Sequence, residues 1–258
     1  MKYIVLVLLA LVNLYASVVT APIVSVNKKN DTITININKI DVGMSGFVIH
    51  HIAPKHSEVI DNAVVQSFDA NKSEATLKIS SFHMLDNDSV PTEEFKVEVG
   101  DSVELAFGYN RAMLIAPDEA IYHRITKSVQ TQWIHPDLFA TILSYTGHPS
   151  PLVSDFHSMS EATSTGLLFI YLDKNVYTLD MKSFKILHIS AAPLAQKKVK
   201  LPFYTRVQKI ESSWWDWGRG TSQVKNYTKY YYKLLMQNNA NNKELVSLYK
   251  KYEKRGEK

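Results

Sequence analysis

The sequence has 258 residues, no cysteine and a formal net charge of +4, from 29 Lys and Arg against 25 Asp and Glu. Without cysteine there is no disulfide framework and no thiolate metal site, so stability must come from a buried core. The charge is uneven: residues 1–195 contain 14 Lys and Arg against 20 Asp and Glu, whereas residues 196–258 contain 15 against 5, which predicts a basic C-terminal segment facing acidic partners or solvent.

The first seventeen residues, MKYIVLVLLALVNLYAS, have the layout of a secretory signal peptide. Lys2 supplies the positive start, an apolar run follows, and the small residues Ala16 and Ser17 end it. Asn13 interrupts the run before it reaches the ~20 apolar residues of a membrane-spanning helix, although a retained N-terminal anchor is the alternative. We predict that residues 1–17 are removed on export to the periplasm or the outer cell surface. The mature chain then has no integral membrane span and meets no nucleic acid.

Residues 22–108 have the pattern of a small antiparallel barrel-like β domain. DTITINI alternates Ile with Thr and Asn, which is the period of a half-buried strand. Further β-rich runs are GFVIHHI, EVIDNAVVQSF and EATLKISSF. In FKVEVGDSVELAF, Gly100-Asp101 separates two alternating segments and predicts a hairpin. Five or more short strands at this spacing predict a closed or partly closed barrel.

Residues 109–212 mix strand and helix patterns and predict an α+β domain. The strand-like runs are RAMLIAP, GLLFIYL, NVYTLDM, SFKILHIS and LPFYTRVQKI. PDEAIYHRITKSV and HPDLFATILSY begin with Pro and acidic residues, which are favoured in the first turn of a helix. SPLVSDFHSMSEAT predicts a third short helix.

Residues 213–258 are predicted to form a Trp-rich junction and a basic helical hairpin that docks on the body. NYTKYYYKLLMQ and the final helix both place Tyr and Leu at i, i+3, i+4 and i+7, which makes one apolar face on each helix. Asn241 with Glu244 predicts a capping box for the final helix. The lysines of that helix fall on the remaining arc, and its end after Tyr252 is expected to be frayed.

The stretch SSWWDWGRG contains Trp214, Trp215 and Trp217 close to Arg219. Trp and Arg are enriched in binding hot spots, so these residues are candidates for an aromatic contact with a glycan or a partner protein. The alternative is that the tryptophans seal the junction between the α+β body and the basic helices.

Sequence motifs for catalysis and metal binding are missing. The chain has no HExxH, GxGxxG, GxxxxGK[ST] or GxSxG pattern. His50 and His51 are adjacent on a predicted strand, so they point to opposite faces and cannot both ligate one ion without a bulge. We therefore predict no catalytic residues, no metal site and no cofactor.

Six stretches between about Ser45 and Leu235 resemble the N-terminal domain of the bacterial plasminogen-binding protein PgbA family. They are SGFVIHHI, GYNRAMLIAPDEAIYHRI, WIHPDLFATIL, GLLFIYLDKNVYTLDMKSFKIL, LPFYTRVQKIESSW and KNYTKYYYKLL. The resemblance implies an exported envelope or surface protein without enzyme activity, which captures host plasminogen through lysine. Members of that family are expected to continue into a long, charge-rich extension, whereas this sequence stops at Lys258. The alternative is therefore a periplasmic structural or adaptor protein that contacts other proteins of an envelope machine such as the flagellar motor.

The implied lysine contact lies in the last stretch, LYKKYEKRGEK. Kringle domains, the lysine-binding modules of plasminogen, hold an ammonium and a carboxylate along a trough with aromatic walls, and a C-terminal lysine carries both groups. The resemblance thus implies Lys258 as the plasminogen-contacting residue, helped by Lys250, Lys251 and Lys254. The folded body would only display them.

Overall fold

The computed structural model describes residues 18–82, 95–196, 198–212 and 222–256. These residues form an antiparallel barrel, a mixed sheet flanked by helices and two C-terminal helices, so the predicted α+β class is confirmed. The predicted signal peptide lies outside the described residues. Of the helices in the described ranges, none has the length and apolar character needed to cross a bilayer. The division into domains at 22–108, 109–212 and 213–258 stays a prediction.

Six antiparallel strands close the barrel, because the last of them pairs with the first. Alternate side chains such as Ile33, Ile35 and Leu77 point inward and are almost fully buried, as the two-residue period predicts. The strands are β1 (Val19–Asn27), β2 (Thr32–Asn36), β3 (Ser45–Ala53), β4 (His56–Asp69), β5 (Glu74–Ser81) and β6 (Ser102–Leu105), in the order β1-β2-β5-β4-β3-β6.

Glycine is required where β3 pairs with β6. A Cβ atom at Gly46 would lie 2.0 Å from the backbone oxygen of Glu104, well inside van der Waals contact. The two strands therefore pair closely only because position 46 has no side chain.

A five-stranded mixed sheet forms the second part of the fold. Its strands are β7 (Arg111–Ile115), β8 (Gln132–Ile134), β9 (Leu167–Leu172), β10 (Asn175–Asp180) and β11 (Ile186–Ala191), in the order β11-β10-β9-β7-β8. β7 is parallel to both β8 and β9, whereas β10 is antiparallel to both of its neighbours. All six residues of β9 are buried, which explains its continuous apolar sequence.

Helices cover both faces of this sheet. Helix α1 (Glu119–Ser128) buries Ile121 and Tyr122 on the face that carries Leu114 and Phe169. The opposite face is covered by α2 (Pro136–Thr146), α3 (Val153–Thr163) and α4 (Tyr227–Asn238). The fifth helix, α5 (Lys243–Gly256), packs on α4 and joins the same core through Leu245. The docked helical hairpin predicted from the Tyr and Leu spacing is thus confirmed.

Three local predictions were wrong. LPFYTRVQKI is not a strand, because its backbone bonds are isolated ones such as Tyr204 N donating to Ala116 O at 2.7 Å. Gly100 does not join two paired strands, since β6 pairs with β1 and β3 instead of with residues 95–99. Asn242 caps α5 instead of Asn241, because its side-chain oxygen accepts the backbone N–H of Leu245 at 2.9 Å.

Candidate functional site

The basic face of α5 is held in place by aromatic packing on its other side. Leu245 is fully buried, and Tyr249 and Tyr252 pack against Tyr232 of α4 with ring centroids 5.6 and 5.2 Å apart. These contacts fix the rotation of the helix about its own axis. The remaining arc of α5 must therefore face solvent.

Lys250, Lys251 and Lys254 lie on that arc and are all exposed. Within the described part of the chain, none of their ammonium groups has an ion-pair or hydrogen-bond partner. We name these three residues the α5 lysine face. Lysines in the last turns of a helix also interact favourably with the negative end of the helix dipole, so they stabilise the helix that displays them.

The end of α5 is anchored to the sheet. Arg255 donates to both carboxylate oxygens of Asp173, at 3.0 and 3.2 Å, in the turn between β9 and β10. The helix continues to Gly256, so the expected fraying after Tyr252 is wrong for the residues up to 256. Lys258 lies outside the described residues, and its role stays a prediction.

A second set of lysines on the neighbouring helix was not singled out from the sequence. Lys229 and Lys233 lie four residues apart on α4, and Lys225 lies just before its cap residue Asn226. All three are exposed, and we name them the α4 stripe. The four-residue spacing of these lysines was the sequence signal that could have identified them. This α4 stripe carries the same charge as the α5 lysine face on the same helical hairpin.

Trp214, Trp215, Trp217 and Arg219 lie outside the described residues, so both interpretations of the Trp-rich stretch stay predictions. The described residues on either side of it are close to the end of α2. The backbone N–H of Glu211 donates to Ser144 Oγ at 3.4 Å, and Ser150 Oγ donates to the backbone oxygen of Ser222. The chain therefore leaves and re-enters the described part of the fold beside the α2–α3 connection.

A buried carboxylate joins the barrel to the sheet. Asp180, at the end of β10, is fully buried and accepts five hydrogen bonds. The donors to Oδ2 are Ser45 N (3.0 Å), Ser45 Oγ (2.7 Å) and the Tyr109 hydroxyl (2.9 Å). The donors to Oδ1 are the backbone N–H groups of Lys182 (3.1 Å) and Ser183 (2.6 Å). Burial and the adjacent Asp180 raise the pKa of Tyr109 strongly, so its hydroxyl stays protonated and donates at physiological pH.

A small cleft lies beside this junction. Its lining includes Phe47 and Phe107 of the barrel side and Glu161 and Lys182 of the sheet side. Lys182 Nζ lies 4.3 Å from the ring centroid of Phe47 and donates to Asn62 Oδ1. Burial lowers the pKa of Lys182, while nearby carboxylates act in the opposite direction. The cleft has a volume of only about 40 Å³, room for a few water molecules but not for a small-molecule substrate.

Aromatic and histidine rings fill the edge of the sheet where β7 and β8 end. The chain leaves β7 toward α1 on one face and leaves β8 toward α2 on the other, and ligands of open α/β sheets bind at such a switch point. Here the ring of Tyr204 packs on Tyr122 at 5.3 Å, and Tyr122 packs on His135 at 5.2 Å. Burial lowers the pKa of His135, so the ring tends to be neutral at physiological pH. The customary ligand crevice is thus occupied by side chains of the protein itself.

Asp137 in the first turn of α2 fastens the loop that carries Tyr204. It accepts hydrogen bonds from Thr205 Oγ1 (2.7 Å), Arg206 N (2.7 Å) and Arg206 Nε (2.6 Å). Partial burial alone would raise the pKa of Asp137, but these donors outweigh it and lower the pKa to about 2. The sequence signal was the Pro-Asp pair at the helix start, which predicted the helix but not the partner loop.

Comparison with known proteins connects these features to a family. A family model described as plasminogen-binding protein pgbA N-terminal matches residues 18–235. The plasminogen-binding proteins PgbA of Helicobacter pylori strains J99 and 26695 are each 27% identical to this chain over 194 residues, which is 74% of this chain and 42% of theirs. The chain thus spans less than half the length of those curated relatives. No solved structure matches it.

The matched region contains the barrel, the mixed sheet and most of α4. It ends at residue 235, before α5 and its lysine face. The resemblance found in the sequence is therefore confirmed for the folded body, and the chain belongs to the family described as plasminogen-binding protein pgbA N-terminal.

Proposed function

We propose that this protein binds plasminogen through exposed lysine side chains and has no catalytic activity of its own. The observation that carries the proposal is membership of a family described by plasminogen binding, over 18–235. Two relatives bear the same activity in their names. The small volume of the junction cleft and the filled crevice at the ends of β7 and β8 add support, because they favour recognition by the outer surface.

The α5 lysine face and Lys258 are the proposed contact. Lys250, Lys251 and Lys254 are exposed on a helix that aromatic packing holds in place. The backbone that carries them is therefore already ordered before binding, and only the lysine side chains lose conformational freedom. A lysine stem seated against aromatic rings gains apolar contact and cation–π attraction. The contact lies outside the matched region, so it would be a property of this chain's own C-terminal helix.

Surface plasmon resonance of the mature protein on immobilised plasminogen tests the proposal, with and without the lysine analogue 6-aminohexanoic acid. The α5 variant changes Lys250, Lys251 and Lys254 to Gln, and a second variant lacks Lys258. We expect each to lose about tenfold or more in analogue-sensitive affinity, equivalent to about 1.4 kcal/mol.

The matched control changes the three lysines of the α4 stripe to Gln. It therefore removes the same number of positive charges from the neighbouring helix and its start. We expect its affinity to stay within about twofold, because charge lost outside the contact acts only by weak screened attraction. Equal losses in the α4 and α5 variants would show general charge attraction and contradict the lysine contact. Absence of analogue-sensitive binding would contradict plasminogen binding and favour the alternative, an envelope scaffold that contacts other envelope proteins.

We propose that the protein is exported with loss of residues 1–17. The start of the family match at residue 18 supports this. Mass spectrometry of the mature N-terminus is expected to show no Met1, and an intact Met1 in the membrane fraction would contradict export with cleavage. Protease treatment of whole cells separates the periplasm from the surface, because only a surface protein is cut.

A further inference from the structure

One end of the barrel brings together a histidine and two carboxylates that the function above does not use. His50 lies on β3, Asp101 directly precedes β6, and Glu98 lies in the turn before it. One ligand-type atom from each residue lies within 4.8 Å of the other two. Imidazole and carboxylate groups are ligands that zinc and other borderline divalent ions accept.

Asp101 is the fixed member of this group. Its side chain is only 4% exposed, with one carboxylate oxygen 2.8 Å from His50 Nδ1. The other oxygen accepts the backbone N–H of Glu98 at 2.9 Å, which folds the turn back on itself. The turn also bonds to β1 through Gly100 N and Ile23 O at 3.2 Å. The aspartate thus holds the imidazole and the turn that carries Glu98 in one place.

The imidazole of His50 is oriented before any ion arrives. Phe95 stacks on it with ring centroids 4.7 Å apart and planes 21° from parallel. One face of the ring is therefore covered by an apolar group, which lowers the local dielectric and strengthens attraction between an ion and its ligands. The neighbouring His51 does not share this setting, because it is exposed and its Nε2 contacts Ser102 Oγ at 2.9 Å.

The distances suit a shared ion with little rearrangement. Zinc lies about 2.0–2.2 Å from imidazole nitrogens and carboxylate oxygens. Two such ligands at the tetrahedral angle are about 3.3–3.6 Å apart, so the 2.8 Å between His50 Nδ1 and Asp101 Oδ1 has to widen by roughly half an ångström. An ion would take the place of the proton between them. Glu98 is exposed, so its carboxylate is free to close the site from the solvent side.

We propose that His50, Glu98 and Asp101 bind one divalent transition-metal ion of the zinc type at this end of the barrel. Three protein ligands leave a fourth position to water, which is the coordination of an open site. The proposal departs from the metal-free prediction made from the sequence. His50 and Asp101 are 51 residues apart, so no short spacing motif could have shown the site.

Isothermal titration of the metal-free mature protein with ZnCl₂ tests the proposal. We expect one ion per chain with a dissociation constant in the micromolar range or below. Glu98→Gln is expected to weaken binding about tenfold or more, since it removes one ligand from an exposed side chain and keeps the His50–Asp101 pair. His50→Gln is expected to abolish binding at this site. His51→Gln, the adjacent matched control, is expected to stay within about threefold of the parent protein.

Thermal unfolding of the Glu98 and His51 variants without metal checks that each still folds. Zinc is expected to raise the unfolding temperature of the parent and of the His51 variant, but to raise that of the Glu98 variant less. The absence of stoichiometric zinc binding would overturn the proposal, as would a folded Glu98 variant with parent affinity. Equal weakening by His51→Gln would also overturn it, because the ion would then lie elsewhere on β3.

Discussion

Replacing Asp180 with asparagine is expected to lower the free energy of unfolding more than any other isosteric change at the barrel–sheet junction. The carboxylate is fully buried and accepts five hydrogen bonds, three on Oδ2 and two on Oδ1. An asparagine side chain keeps one oxygen and replaces the other with an NH₂ group, which is a donor. In the better orientation, the oxygen faces the donors from Ser45 and Tyr109. The NH₂ group then faces the backbone N–H groups of Lys182 and Ser183.

Two partly buried backbone donors thereby lose their acceptor. A fully buried unsatisfied donor costs about 1–3 kcal/mol, so for two partly buried donors we expect a loss of about 1–4 kcal/mol in the free energy of unfolding. Urea unfolding followed by both far-UV circular dichroism and fluorescence measures this loss, provided that the two transitions coincide. Asp69→Asn is the matched control, because Asp69 is 45% exposed and pairs with Lys72 at a nitrogen–oxygen distance of 3.9 Å. Its expected effect is within about 0.5 kcal/mol. A loss below about 1 kcal/mol for Asp180→Asn would refute the assignment of this carboxylate as the junction between the two parts.

Two further changes probe the fold. Gly46→Ala places a methyl group 2.0 Å from the backbone oxygen of Glu104, so we expect the free energy of unfolding to fall by about 3 kcal/mol or more. Thermal unfolding measures this change, and an unchanged melting temperature would contradict the close pairing of β3 with β6. The pKa of Asp137 is about 2 in the folded chain and lies below its unfolded value of 3.8. The stability that this carboxylate contributes is therefore fully present above about pH 5 and is lost progressively as the pH falls from about 5 to about 1. Urea unfolding at several pH values is expected to show this loss in the parent and a smaller one in Asp137→Asn, and identical pH profiles would show that the Thr205 and Arg206 donors do not act through that charge.

Elements with a regular apolar period were predictable from the sequence. Ile33 and Ile35 alternate with polar residues in the sequence and are buried on one side of β2 in the fold. Tyr231 and Leu235 repeat at helical spacing and are fully buried on one face of α4. In both cases the repeat of the strand or helix determines which residues face the core. The spacing of apolar residues within one short segment is therefore enough to predict the buried face.

Contacts between distant segments were not predictable in the same way. Asp180 and Ser45 are 135 residues apart, and nothing local to either residue indicates the other. LPFYTRVQKI has a strand-like composition, but its backbone N–H groups at Tyr204 and Arg206 donate to Ala116 and to the Asp137 carboxylate. None of the described strands pairs with it. For the candidate site, the apolar face of α5 was predictable and the salt bridge at Arg255 was not, because its partner lies in a turn 82 residues earlier.

The closure of the barrel between β1 and β6 has a consequence for the order in which the protein is made. β2 follows β1 after a short turn and pairs with one of its edges. The other edge of β1 stays unpaired until β6 has been synthesised, about 75 residues after β1 ends. During synthesis, the first strand therefore keeps one edge of unpaired backbone groups while the rest of the barrel wall is made. A chain stalled before residue 102 would present two open strand edges, and such edges pair readily with other chains. Closure of the barrel is thus tied to completion of the chain as far as β6.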